Sequence, residues 1–284
     1  MCRLLGWVAR DGLTLRDVLG EESFVAFAQL SRIHADGWGV AYDAGDRIDV
    51  ERSTTNASSD PAFAAVATDV RARAGLAHLR WASPGLPVEL CNAHPFRHEG
   101  TAFAHNGGIY PFERIGELLD DEWRARLTGT TDSEHYFLAV LAEMARSGDD
   151  LPTALPRVLR RIADEYTPSS LNAMVLAPEA LYVVNVHDES VRPVLPPLEP
   201  QTVDEIVEAT EEEAPYYDLR YRGTGDSVVV ASSGFAQPEG GGWRRMENNS
   251  LLVVDRASLQ VTEIPLDVAI GQAAAAESAG ADLR

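Results

Sequence analysis

Hydrophobic and polar positions change period along this chain, and each change marks an element. The run Leu4-Leu5-Gly6-Trp7-Val8-Ala9 is apolar without interruption and predicts a buried strand over 3–9. Phe24, Phe27 and Ala28 then fall on one helical face, which predicts a short helix over 22–30. Asp36-Gly37-Trp38-Gly39 leads into a strand that pairs with 48–52 across the turn signal Ala44-Gly45-Asp46. Asp60-Pro61 caps and opens a helix predicted to run to about residue 73, with Phe63, Val66, Ala67 and Val70 inward and Gly75 as its stop. A strand follows over 76–81, then a Pro- and Gly-rich loop over 82–96, then a strand over 102–105 ending at Asn106-Gly107-Gly108. Thr131-Asp132-Ser133-Glu134 reads as a capping box opening a helix to about residue 146, closed by Gly148. A second helix is predicted over 153–166, with Pro156 in its first turn.

Beyond that point the period falls to two. Stretches 171–176 and 181–186 form a predicted hairpin, 227–232 and 251–254 are further strands, and 259–264 is a weaker one. Stretches 193–200 and 238–242 read as loops, and the alanine-rich end, 271–284, has no apolar face and is expected to be a disordered tail. Strands, helices, then strands again predict one α+β domain over 1–270, with sheets covered by helices.

Charge narrows the partners. The 284 residues carry 44 acidic against 24 basic side chains, a net charge of −20. Nucleic acid and anionic membrane both demand local Lys and Arg excess, so neither is an expected partner. A small zwitterion is compatible if the site supplies its own cation. With only two cysteines, Cys2 and Cys91, the chain shows no disulfide framework, and a reducing, cytoplasmic setting is the simpler expectation. No secretory leader and no span of eighteen apolar residues is visible in the sequence.

Candidate chemistry begins at Cys2. If Met1 is removed, that residue carries both a thiol and a free α-amine. A thiol titrates near ~8.5 and an α-amine near ~7.7–8.0, so the proton passes between them almost without cost. An imidazole near 6.5 would be mismatched by about 2.7 kcal/mol. The plainer reading is that Cys2 is only the residue after the start methionine. Arg80, closing His78-Leu79-Arg80-Trp81, offers a planar fork for a carboxylate, or is a surface arginine packed on Trp81. Asn106 and Gly107 offer a side-chain amide and a backbone N–H for an oxyanion, or an ordinary turn. Asp132, in a first helical turn, suits a substrate ammonium or simply the helix dipole. Asp36 reads as a turn residue sooner than a site residue, His78 and His105 as buried, hydrogen-bonded core, and Cys91 as a small filler. His94 and His98, with His105 and Cys91 near, have the residue types for a metal, but Pro95 forbids a helical i,i+4 pair; neither metal nor cofactor is expected.

The order of these motifs is more specific than any one of them. Cys2, Asp36-Gly37-Trp38-Gly39, His78-Leu79-Arg80-Trp81, Asn92-Ala93-His94-Pro95-Phe96, Ala104-His105-Asn106-Gly107 and Thr131-Asp132-Ser133-Glu134 together resemble class II glutamine amidotransferases, which are N-terminal-nucleophile hydrolases. The resemblance implies a four-layer αββα sandwich and hydrolysis of a γ-carboxamide through a γ-glutamyl thioester. It implies Cys2 as nucleophile with its α-amine as base, and Asn106 and Gly107 as oxyanion hole. It likewise implies Arg80 and Trp81 at the substrate carboxylate and Asp132 at the ammonium. Ser83-Pro84-Gly85 departs from the Thr-His-Gly that many such transferases carry after Arg-Trp-Ala. The chain resembles stand-alone members, some of which cleave γ-glutamyl conjugates. The alternative is a non-catalytic or partner-dependent subunit beside a separate synthase; a Cys91–His hydrolase has little support.

Overall fold

The computed structural model describes residues 2–83, 85–191 and 216–271. Two antiparallel sheets lie face to face. The seven-stranded sheet runs Arg244–Arg245, Leu219–Gly223, Ser227–Ser232, Arg3–Leu13, Ala72–Leu79, Trp38–Asp43, Ile48–Ser53 in space. The six-stranded sheet runs Val261–Pro265, Ser250–Asp255, Ala180–Asn185, Asn172–Leu176, Thr101–Asn106, Phe96–His98. A small ribbon pairs Ile109–Tyr110 with Thr167–Pro168.

The apolar core divides as the strand period requires. Successive side chains of a strand point to opposite faces. Leu4 and Val8 therefore enter the layer between the sheets, meeting Leu176, Leu181 and Val183 of the other sheet. Leu5 and Trp7 point the other way and pack on Leu15, Phe27, Phe63 and Val66, from the N-terminal helices. In the second sheet Phe103, Val175 and Val184 pack on Phe137, Leu141, Leu155 and Leu159, from helices Asp132–Ser147 and Leu151–Glu165. The result is helix, sheet, sheet, helix, the four layers that the resemblance implied. Both faces of the central strand are buried, which is why its sequence reads as a continuous apolar run rather than an alternation.

Several boundaries differ from the sequence reading. The helix opened by Asp60-Pro61 ends at Asp69, not near 73, and Gly75 lies inside strand Ala72–Leu79. A Cβ on Gly75 would stand 2.1 Å from the Trp7 ring, so the glycine is there to seat that indole across the ladder. The helix expected from 153 begins at Leu151 behind an Asp150 cap, which leaves Pro156 inside it rather than in its first turn. Helix Leu15–Leu19, opened by a Thr14–Asp17 capping box, and strand Leu219–Gly223 were not legible: one is too short for a period and the other alternates arginine with tyrosine. The loop 193–200 and the tail 272–284 lie outside the described residues.

Candidate active site

Cys2 stands at the head of the central strand of one sheet, and its partner is in the other. The Cys2 backbone N–H donates to Asn106 Oδ1 at 2.8 Å, across 104 residues of sequence. Its sulfur meets the backbone of Trp81, accepting from the N–H at 3.5 Å and lying 3.6 Å from the carbonyl oxygen. The Tyr216 hydroxyl donates to the Cys2 carbonyl at 3.4 Å. Cys2 is buried.

The segment that holds the sulfur is braced by a residue read as a turn. Asp36 N–H donates to Arg80 O at 3.0 Å, Asp36 Oδ2 accepts from Ala82 N–H at 2.8 Å, and Arg80 N–H donates to Gly37 O at 2.8 Å. Asp36 thus fixes both sides of Trp81. Arg80 is not a surface residue; it is 3 % exposed. Nη2 donates to Pro87 O at 3.1 Å, while buried Nη1 has no hydrogen-bond partner among the described residues. A buried guanidinium with an unanswered donor suits an incoming carboxylate. Asn92 ties this loop to the helix beyond: its Nδ2 reaches Pro87 O at 3.4 Å, and its Oδ1 accepts from Thr130 N–H at 2.8 Å.

Helix Asp132–Ser147 begins at that junction. Thr131 Oγ1 accepts from Glu134 N–H at 3.2 Å, but Glu134 does not close the predicted box. Its carboxylate turns to the preceding loop and accepts from Thr128 N–H, Thr128 Oγ1 and Gly129 N–H at 2.9, 2.6 and 2.7 Å. Asp132 Oδ2 accepts from Ile109 N–H and Oδ1 from Ser133 N–H, each at 2.9 Å. The first of these ties Asp132 to the strand just beyond Asn106-Gly107. Gly107 is sterically required: a Cβ there would lie 1.9 Å from Ser170 O. Asn106 Nδ2 is buried and unpartnered among the described residues, beside the sulfur's own residue.

Histidines line the floor. His78 and His94 pack ring on ring at 4.3 Å, both buried, and neither ring nitrogen of either has a hydrogen-bond partner among the described residues. His78 is buried as expected, and the backbone of His105 is the polar group that its ring faces. Burial, with the Arg80 charge behind it, holds His78 well below the ordinary imidazole value. Burial and the neighbouring His78 do the same to His94. His105 is satisfied, through Ser133 Oγ and Ser170 O at 3.0 Å each. His94 faces Phe96, whereas His98 faces Trp123, so the two do not converge. Among the described residues no cluster of three His, Cys, Asp or Glu side chains is placed to hold a metal. Cys91 is partly exposed rather than a core filler, with its thiol 3.6 Å from Glu89 Oε2.

Cys2, Asn106, Gly107, Arg80, Trp81 and Asp132, the residues singled out in the sequence, come together at one end of the sandwich. Asp36, Asn92 and Ser133 lay within or beside those motifs, but no spacing rule distinguishes a brace from a turn. The family model for class II glutamine amidotransferases matches residues 1–276. The chain belongs to the class II glutamine amidotransferases. It is an enzyme of that family with the family's sheet-on-sheet fold. A glutamine aminotransferase class-II domain protein from Silicibacter pomeroyi superposes with a TM-score of 0.60 at 21% identity, covering 93% of this chain and 99% of that one. A gamma-glutamyl-hercynylcysteine sulfoxide hydrolase of Mycobacterium tuberculosis is 35% identical over 116 residues, 38% of this chain and 50% of that protein. A glutamine–fructose-6-phosphate aminotransferase of Agrobacterium fabrum is 38% identical over 92 residues, 32% of this chain and 15% of that protein. The matched stretch thus spans half or less of each of these two curated relatives. No helix among the described residues of this amidotransferase is long and apolar enough to cross a membrane.

Proposed function

We propose that this amidotransferase hydrolyses the γ-glutamyl amide of glutamine or of a γ-glutamyl conjugate, with Cys2 as nucleophile. The observation that carries the reading is the Cys2 N–H to Asn106 Oδ1 bond at 2.8 Å. It sets the nitrogen and sulfur of one residue beside an unpartnered amide donor, Asn106 Nδ2.

With Met1 removed, the Cys2 nitrogen is an amine whose N–H still donates to Asn106, leaving its lone pair for the thiol proton. The sulfur attacks the γ-carbonyl carbon, and the carbonyl electron pair moves to oxygen. Asn106 Nδ2–H and the Gly107 N–H hold that oxyanion. The Cys2 ammonium returns the proton to the leaving nitrogen, the C–N bond breaks, and a γ-glutamyl thioester remains for water to hydrolyse. Arg80, with Trp81 beside it, holds the α-carboxylate, and Asp132 holds the α-ammonium. Opposite fixed charges let a protein of net charge −20 select a net-neutral zwitterion. The similarity to a relative named for a γ-glutamyl conjugate supports conjugates beside free glutamine. A working thiolate requires a reducing compartment, which favours the cytoplasm.

Intact mass and product release test this together. The expected result is a protein lacking Met1 that releases ammonia or amine from γ-glutamyl amides, with Cys2→Ala inactive. Retained Met1 in active protein excludes the proposed base. Release that appears only beside a synthase points instead to a partner-dependent ammonia-supplying subunit.

A further inference from the structure

We infer that Ser133, held by His105, is a positioning residue for Asp132 and sets how much of that carboxylate is open to the α-ammonium of the substrate. The inference rests on the assignment of Asp132 proposed above. His105 lies on strand Thr101–Asn106, one residue before the oxyanion donors; Ser133 lies on helix Asp132–Ser147, one residue after the ammonium anchor. His105 Nε2 is 3.0 Å from Ser170 O, and a carbonyl carries no proton, so Nε2 is the N–H of the neutral ring. Nδ1 is then an acceptor, and the Ser133 hydroxyl, 3.0 Å away, donates to it. Tyr136, edge-on to the imidazole at 5.5 Å and 89°, keeps the ring from turning.

The Ser133 hydroxyl is also 3.4 Å from Asp132 Oδ1, so it has two places to put one proton. While His105 is neutral the proton lies on the imidazole side, and Oδ1 accepts only the Ser133 N–H. When His105 gains a proton, both ring nitrogens donate. Ser133 Oγ must then accept from Nδ1, and its own proton turns to Asp132 Oδ1, where it competes with the substrate ammonium. Asp132 and Tyr136 face His105 from the helix. His78, on Ala72–Leu79, and His94, in the loop before Phe96, face it from the other side, with Arg80 behind both. Tyr110 faces Asp132. Burial holds His78, His94 and His105 below the ordinary imidazole value, so the change is expected on the acid side.

The test is the pH profile of hydrolysis between about pH 5 and 8, with KM and kcat separated. Two substrates are compared: glutamine and glutaramate, the same amide without the α-ammonium. For glutamine, KM rises about tenfold on acidification, over and above the fall in kcat that protonation of the Cys2 amine imposes on both substrates. The rise is absent in His105→Gln and in Ser133→Ala, restored in Ser133→Thr, and absent for glutaramate in the unaltered enzyme. A rise that persists in His105→Gln or in Ser133→Ala, or that glutaramate shares, overturns the inference. Should those variants not fold, imidazole nitrogen NMR on Cys2→Ala reads the same coupling. The expected result is an Nε2–H tautomer whose titration moves to lower pH when glutamine binds; an Nδ1–H tautomer, or no movement, overturns it. A protein that binds glutamine without hydrolysing it would sink the proposed function and leave the His105 titration readable.

Discussion

Asn106 and Asn172 stand opposite each other in adjacent strands, equally buried, and are used in opposite ways. Asn172 is fully engaged: Nδ2 donates to Tyr217 O at 2.6 Å, and Oδ1 accepts from Val186 N–H at 2.8 Å. Asn106 engages only its oxygen, with Cys2 N–H, and leaves Nδ2 without a partner among the described residues. Residue type, burial and strand position are the same. The difference is that one amide joins backbone to backbone, while the other answers one backbone group and keeps a donor open, the donor proposed above for the oxyanion. An unanswered buried donor costs about 1–3 kcal/mol, and a fold retains it where something else answers it. The arginines repeat the contrast. Arg52 reaches Ala93 O from a half-buried position, whereas Arg80 is buried with Nη1 open.

The largest effect expected is from the sulfur. Cys2→Ala lowers amide hydrolysis by about 10⁴-fold or more in an ammonia-release assay, with little change in melting temperature; retained activity would remove the site from this end of the sandwich. The asparagine comparison comes next. Asn106→Ala lowers kcat about 10²–10³-fold with a small stability loss. Asn172→Ala instead costs about 2 kcal/mol or more of stability, read as a fall in denaturant midpoint. Equal kinetic losses in both would erase the distinction. Arg80→Lys raises KM about 10–100-fold, because an ammonium cannot reproduce the fork, and Arg52→Lys changes it less than about threefold. A matching KM change in both would deny Arg80 its role.

The last effect is on stability against pH. His78 and His94 are held below their ordinary value in the fold, so the unfolded chain binds protons that the folded one refuses. Stability is therefore full above about pH 6.5 and falls on acidification, by up to about 1.4 kcal/mol per pH unit for each ring. Urea midpoints at pH 7 and pH 5 measure this, and His78→Gln should reduce the slope.

Much of this site was legible because its residues come in short runs with fixed neighbours. The cap at Thr131, the glycine after Asn106 and the Arg-Trp pair at a strand end each signal locally. What was not legible depended on contacts across long separations. Asp36 reads as a turn until its carboxylate is seen on Ala82 N–H, 46 residues away. Glu134 reads as the closing member of a capping box, and the loop at Thr128-Gly129 takes it instead. Gly75 reads as a helix stop because nothing nearby shows the Trp7 ring above it.

By itself the sequence determined the strand and helix order, the layered α+β class, the acidic balance and the family-like order of motifs, all set by periodicity and near neighbours. Only the tertiary structure decided which buried polar atoms are satisfied and which stay open. That distinction depends on where two sheets bring residues 104 apart to within 2.8 Å, and no local pattern encodes it.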